Sequence, residues 1–306
     1  PSVASKSFLI TIGDRSVGGM TCRDQMVGPW QIPVSNVAVT ANDFRGHQGE
    51  AMAIGERSPL SLLSAKASAS MALGELITNI ASASITTISD IKISANWMLA
   101  ANHPGEGVQL YEAVEHLSKL CSELGLCIPV GKDSMSMQSK WNDSKKEQVV
   151  TAPLSVVLSG FAPVDDTRRT LTPALSHQLN TELWCIDLGK KQNRLGGSSF
   201  AYSHNAMEHQ TPTLDSPKDL LNFFSLIQEA NRQGVILAYH DRSDGGLMAT
   251  LTEMAFAGRT GIDIQLSEEV GKTTTNVLEM LFNEELGAVI QVKRSDIAEV
   301  NAAFKK

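Results

Sequence analysis

The sequence predicts an α+β fold divided into two subdomains, and three observations lead there. At 306 residues the chain exceeds what one hydrophobic core ordinarily fills. Strongly periodic helical segments alternate with short β-type runs, but without the regular beat of a parallel βαβ array. Between two element-rich halves lies VDDTRRTLTPALSHQLN (164–180), which carries prolines and charges and no periodicity. The expected subdomains are therefore 1–170 and 171–306.

The elements follow in order. VSNVAVTA (34–41) reads as the first clear strand. The segment 62–82, LLSAKASASMALGELITNIAS, has apolar or small residues at most positions, as a helix packed on more than one side requires. IKISANWMLA (91–100) is a strand. The helix over 107–125 places Leu110, Val114, Leu117, Cys121 and Leu124 on one stripe, so it should be half exposed, and Gly125 should stop it. PLSVVLSGFA (153–162) and ELWCIDLG (182–189) are strands. The helix over 216–234 has the best marked ends, with Ser216 and Pro217 at its start and Gly234 at its stop. VILAY is a strand leading through HDRSDGG (240–246) into a helix, LMATLTEMAF, and GAVIQVK (287–293) is the last strand.

Composition narrows the function. The net charge is −7, and no run of Lys or Arg could track a phosphate backbone, so nucleic acid is not an expected partner. Cys22, Cys121, Cys127 and Cys185 show neither CxxC spacing nor histidines at zinc-ligand offsets, which fits a reducing, cytoplasmic setting. No apolar stretch approaches the roughly 20 residues that span a bilayer, so no membrane partner is expected. The chain opens PSVASK without Met, as an excised piece of something longer would.

The turn HDRSDGG carries the strongest chemical signal. Gly245 and Gly246 let backbone amides approach a ligand, and the helix beyond offers unpaired N–H groups to an anion. Asp241 and Asp244 in the same turn cannot face phosphate without a cation between, which points to Mg²⁺. The alternative is that Ser243 or Asp244 simply caps the helix. In GELITN (74–79), Glu75 and Asn79 are four apart and emerge on one helix face among small residues; a solvent-facing Glu is the competing reading. GLCIPVGK (125–132) fails as a P-loop, because its glycines are six apart and Asp133 stands where Ser or Thr should hold Mg²⁺. No serine has the G-x-S-x-G elbow. His103, His116, His177, His204 and His209 have no chemical pairing; His240 abuts the proposed site. DRSVGG (14–19) nearly repeats the later turn, and both copies place an Arg and an Asp beside glycines.

Taken together, GDRSVGGM, RDQMVGPWQIPV, GEAMAIGERSP, GELITNIA, SANWM, HPGEG, IPVGKDSMSM, HDRSDGGL, EMAFAG and LFNEELGAVIQV, in this order from about residue 12 to 293, resemble the phosphoribosylformylglycinamidine synthase family, large single-chain type. The resemblance is to the second of its two repeated halves, which are related to aminoimidazole ribonucleotide synthetase (PurM-like). It implies two α+β subdomains of that kind and an ATP-dependent amidoligase of purine biosynthesis. Such an enzyme converts formylglycinamide ribonucleotide with glutamine-derived ammonia, using ATP/ADP and Mg²⁺. The implied partners are the nucleotide, that substrate, the other half and a glutaminase domain. By motif, Glu75, Asn79 and Asp241 are implied as magnesium ligands, Ser243 and Ser35 as nucleotide contacts, and Lys6 as a phosphate contact. Asn36 falls at a metal-ligand position where the family has Asp; it can still offer a carbonyl oxygen, but with one negative charge fewer. Two roles stay open for this piece: a productive nucleotide site, or a scaffold whose Mg-nucleotide is structural. The second is favoured, and the piece alone is expected not to complete amidation. A kinase or transferase of the same fold acting on another substrate is the outside alternative. An uncovered apolar edge on the first subdomain is expected to make the piece a homodimer.

Overall fold

A computed structural model describes residues 19–143, 146–207, 210–265 and 273–298, together with Phe8, Thr11 and Arg15. Lys6 and most of DRSVGG lie outside the described residues. The architecture is α+β in two subdomains. The first is built on a six-stranded sheet of order β1-β2-β3-β8-β4-β5. Its strands are β1 (Thr21–Arg23), β2 (Ala38–Ala41), β3 (Gly49–Glu56), β4 (Lys92–Met98), β5 (Cys127–Ser134) and β8 (Ser155–Val164). All neighbours are antiparallel except β4 and β5, which pair in parallel from Lys92↔Cys127 to Met98↔Ser134. That pair is joined by a helical crossover, one βαβ unit within an otherwise antiparallel sheet. A separate hairpin, β6 (Gln138–Asp143) with β7 (Lys146–Thr151), projects from it.

The small residues of helix α1 (Ala65–Ile80) explain its depth in the fold. Inward positions of β3 are Gly49, Ala51, Ala53 and Gly55, and a Cβ at Gly55 would stand 2.1 Å from the Ala72 carbonyl oxygen. Backbone thus meets backbone, and thirteen of the sixteen helical residues are buried, as the all-round apolar pattern predicts. Its buried hydroxyls are satisfied locally: Ser68 donates to the Arg57 carbonyl (2.8 Å) and Thr78 to that of Glu75 (3.0 Å). Helix α2 (Glu106–Leu124) is half exposed and ends at Gly125 with φ 69°. Val114, expected on its buried stripe, instead faces out.

The second subdomain carries a three-stranded antiparallel sheet of order β10-β11-β9, from β9 (Thr181–Asp187), β10 (Ile236–Asp241) and β11 (Gly287–Lys293). Helices α3 (Ser199–Ser203), α4 (Pro217–Gln233), α5 (Gly246–Gly258) and α6 (Thr274–Phe282) complete it. Helix α4 has the expected ends: Ser216 accepts from the Asp219 amide, Pro217 opens the first turn and Gly234 (φ 72°) closes it. Its apolar face, Leu220, Phe223, Phe224 and Ile227, joins the same buried cluster as Leu76, Ile77 and Leu117 of the first subdomain. The main core therefore crosses the seam. A smaller cluster of Leu175, Leu247, Leu251, Met254 and Val289 sits under α5. No helix among the described residues is long and apolar enough to cross a membrane, and the four cysteines are free.

Candidate functional site

Three chain segments converge on the seam. Asn36 comes from the loop ahead of β2, Glu75 and Asn79 from one face of α1, and Asp241 from the last position of β10. Close packing of α1 on β3 sets the first pair: Glu75 accepts from the Glu56 amide (2.8 Å), and Asn79 Nδ2 donates to the Ile54 carbonyl (3.1 Å). The Asn36 Nδ2 donates to Asn79 Oδ1 (2.7 Å) and to Asp241 Oδ1 (2.6 Å). Its own Oδ1 faces His240 Nδ1 at 3.0 Å, and His240 Nε2 faces Glu253 of α5 at 2.8 Å. A single polar network thus spans both subdomains. Tyr239 reinforces it, its hydroxyl donating to the Thr78 carbonyl.

Two features show what this network lacks. Asp241 is only 4 % exposed, yet its Oδ2 has no hydrogen-bond partner. A buried carboxylate oxygen left bare is costly and marks a place where a donor or cation fits. Burial, helped by the negative charges of Asp241 and Asp244, pushes the Glu75 carboxyl up to about 8, against the pull of Arg57 and the Glu56 amide. His240 moves the other way from what burial alone would do: its hydrogen bonds to Asp241 and Glu253 outweigh that burial and hold it at about 9. The imidazolium so formed is a donor at both nitrogens, as its two oxygen partners require.

Glutamates 284 and 285 and three buried arginines brace the site. Arg57, from the GERSP stretch after β3, pairs with Glu284 and lies 3.3 Å from Asp244. Glu284 also accepts from the Gly245 amide (2.7 Å) and the Ser199 amide (2.8 Å). The glycine amide expected to face a phosphate is therefore held by a protein carboxylate. Arg194 forks onto Glu285, and Arg242 bonds Asp187 Oδ1 and the Glu285 carbonyl. Helix α5 has Gly245 (φ 82°) as its N-cap residue and no side-chain cap, so neither Ser243 nor Asp244 serves as one. Both glycines are needed: Gly246 also has positive φ, and a Cβ there would lie 2.5 Å from the Asn283 carbonyl oxygen.

Of the sequence-derived residues, Asn36, Asn79 and Asp241 are thus brought into contact, and Glu75 lies one helical turn before Asn79. Ser35 hydrogen-bonds the Val37 carbonyl (2.8 Å), beside Asn36, and Ser243 lies in the turn after Asp241, its carbonyl accepting from the Gly246 amide (3.0 Å). Among the described residues no three His, Cys, Asp or Glu side chains stand together as a ready-made metal site. Oxygens able to take a hard cation are nevertheless present: the bare Asp241 Oδ2, Glu75 and the amide oxygen of Asn79. Sequence reasoning missed Arg57, Glu253 and Glu284. The adjacent acids of NEEL, just ahead of the buried strand β11, were the available signal for buried ion pairing.

Comparison with known proteins places this chain in a family. Residues 5–163 match the model of the FGAR-AT PurM_N-like domain, and 187–306 that of the AIR synthase related protein, C-terminal domain. The structure superposes on T. maritima PurL complexed with FGAR (TM-score 0.64, 12 % identity), covering 91 % of this chain and 43 % of that one. The same PurL has been solved with ATP and with ADP. Thiamine-monophosphate kinase from Stenotrophomonas maltophilia is similar too (TM-score 0.54, 14 % identity, 92 % and 85 % covered), as is a chain of the HypE-HypF complex (0.55, 13 %, 89 % and 82 %). At such identities the superpositions speak for the fold, and the chain spans less than half of PurL. Because the first family model alone covers more than half of the residues, the chain belongs to the FGAR-AT PurM_N-like domain family, with an AIR synthase related C-terminal domain following it.

Proposed function

We propose that this chain is the nucleotide-holding second half of an ATP-dependent amidoligase that converts formylglycinamide ribonucleotide to the amidine in purine biosynthesis, with subdomains of 1–170 and 171–306. The bare, buried Oδ2 of Asp241 carries the reading. Asp241 and Glu75, with the Asn79 oxygen, would hold Mg²⁺ at the seam, and Ser35, Ser243 and Lys6 would contact the nucleotide. Bound there, the cation neutralises polyphosphate charge. Arg57 keeps Glu75 ionisable, and His240 holds Asn36 and Glu253 in register across the seam. Of a productive and a retained, structural Mg-nucleotide we favour the second, as the family resemblance implies; the Gly245 amide, already taken by Glu284, is not among its phosphate contacts. Amidation itself would need the other half and a glutaminase.

Phosphoryl transfer to a different small substrate is a second reading, favoured by coverage: the chain matches 85 % of the thiamine-monophosphate kinase chain. Calorimetric titration of Mg-ADP and Mg-ATP into the chain, with phosphate release followed in parallel, separates the two. Binding that is lost in Asp241→Ala and Glu75→Ala, without release, is expected. Steady phosphate release by the chain alone would favour transfer, and no binding to the parent chain would overturn both readings.

A further inference from the structure

The orientation of the Asn36 carboxamide is dictated by what surrounds it. Asp241 Oδ1, as a carboxylate oxygen, can only accept. Asn79 spends its own amide hydrogen on the Ile54 carbonyl, which leaves its Oδ1 turned toward Asn36. His240 Nδ1 meets the remaining Asn36 oxygen. Turning the carboxamide over would press three oxygens together. Two oxygens from different subdomains are thus held within 2.7 Å of one nitrogen. A divalent cation bridging oxygens does the same electrostatic work at about 2.0–2.6 Å, but here the nitrogen fills the position.

We infer that Asn36 is a built-in substitute for a bridging cation: its amide ties α1 of the first subdomain to β10 of the second without metal. The carbonyl oxygen of Asn36 is then not a metal ligand, and of the two Asp241 carboxylate oxygens it is Oδ2 that is left for a cation. An aspartate at position 36 would set carboxylate oxygens against Asn79 Oδ1 and Asp241 Oδ1, an arrangement that needs a cation, or at lower pH a shared proton, between them. The latch uses no nucleotide, so it stands or falls separately from nucleotide binding.

The test compares the full parent chain with Asn36→Asp, nucleotide-free, in EDTA and in MgCl₂. Mg²⁺ should raise the melting temperature of Asn36→Asp well beyond the rise it gives the parent, because the variant alone loses stability in EDTA and regains it with Mg²⁺. Mn²⁺ counted by electron paramagnetic resonance should show one more bound ion per chain in the variant. Equal ion counts, or a variant as stable as the parent in EDTA, would overturn the inference. A second measurement needs only the parent chain labelled with ¹⁵N-asparagine, the Asn36 signal being assigned by its loss in Asn36→Ser. The Asn36 NH₂ should stay protected from solvent exchange with and without Mg²⁺; loss of protection on adding Mg²⁺ would mean that the amide yields to the ion.

Discussion

Replacing Arg57 by Met should destabilise the chain by about 3 kcal/mol. The Arg57 and Glu284 side chains are only 4 % and 1 % exposed, so removing the guanidinium strands a buried carboxylate. Stranding one member of a buried pair costs roughly 3–5 kcal/mol. Glu284 keeps its two backbone donors, the Ser199 and Gly245 amides, and these place the expected cost at the lower end. Urea unfolding of Arg57→Met, Glu284→Gln and the double variant measures the coupling directly. The double variant should cost less than the two single costs together by about 2 kcal/mol, because a neutral pair leaves no charge unmatched. The change should also reach the proposed nucleotide site. Arg57 is the positive charge that draws the Glu75 carboxyl down, so without it Glu75 ionises later and Mg-ADP binding at neutral pH should weaken. Additive single costs, or a loss below about 1 kcal/mol in Arg57→Met, would refute the assignment of this pair as a buried brace.

Three further outcomes are expected. Gly55→Ala should lower the urea midpoint by the equivalent of about 3 kcal/mol and weaken Mg-ADP binding, since its Cβ would meet the Ala72 oxygen at 2.1 Å and the Leu76 nitrogen at 2.4 Å and push α1 off β3; an unchanged midpoint would contradict the close approach. Because Glu75 is raised to about 8, the cation-free folded chain holds a proton there that the unfolded chain releases nearer 4.5. Its stability should therefore fall as pH rises between those values, and the rise in melting temperature on adding Mg²⁺ should grow from pH 6 to pH 8; a pH-independent Mg²⁺ effect would remove Glu75 from the ligand set. Met52, Ile54, Val157 and Phe161 line the face of the large sheet opposite α1, with Ile54 57 % and Phe161 45 % exposed. Sedimentation should find a homodimer that the pair Ile54→Lys and Phe161→Lys returns to monomer, whereas a parent chain that is monomeric at micromolar concentration would exclude that interface.

What the sequence made legible was what neighbouring residues decide. The ends of α4 follow from Ser216, Pro217 and Gly234, and β11 matches the expected 287–293, since caps and apolar runs act within a few residues. Strand β3 escaped notice because GEAMAIGE, apart from Met52 and Ile54, consists of poor strand formers, small where α1 comes close rather than suited to β structure. Strand β5 and the β6–β7 hairpin are mostly exposed and lack the alternation that betrays a buried face. The spacing in GELITN and the turn HDRSDGG pointed to residues that do converge. No spacing could tell which atom of Asn36 faces the cluster, because its partners lie 43 and 205 positions away. The same holds for Glu284, whose claim on the Gly245 amide depends on α3 and α5 meeting at the end of α6.

Several of the polar links that define the candidate site join one subdomain to the other. Asn36 reaches Asp241, Arg57 reaches Glu284, Tyr239 reaches Thr78, and Gln228 of α4 bonds both the Ala81 carbonyl and the Ile85 amide. The apolar core crosses the same boundary. Neither subdomain alone therefore possesses the site: α1 supplies oxygens without the Asp241 carboxylate, and β10 supplies that carboxylate without the Asn36 donor that holds it. A ligand that bridges Glu75 and Asp241 adds its binding free energy to the docking of the two subdomains, because it binds only where they meet. A retained nucleotide at such a seam stabilises an assembly, which is the role a structural Mg-nucleotide would have in one half of a larger enzyme.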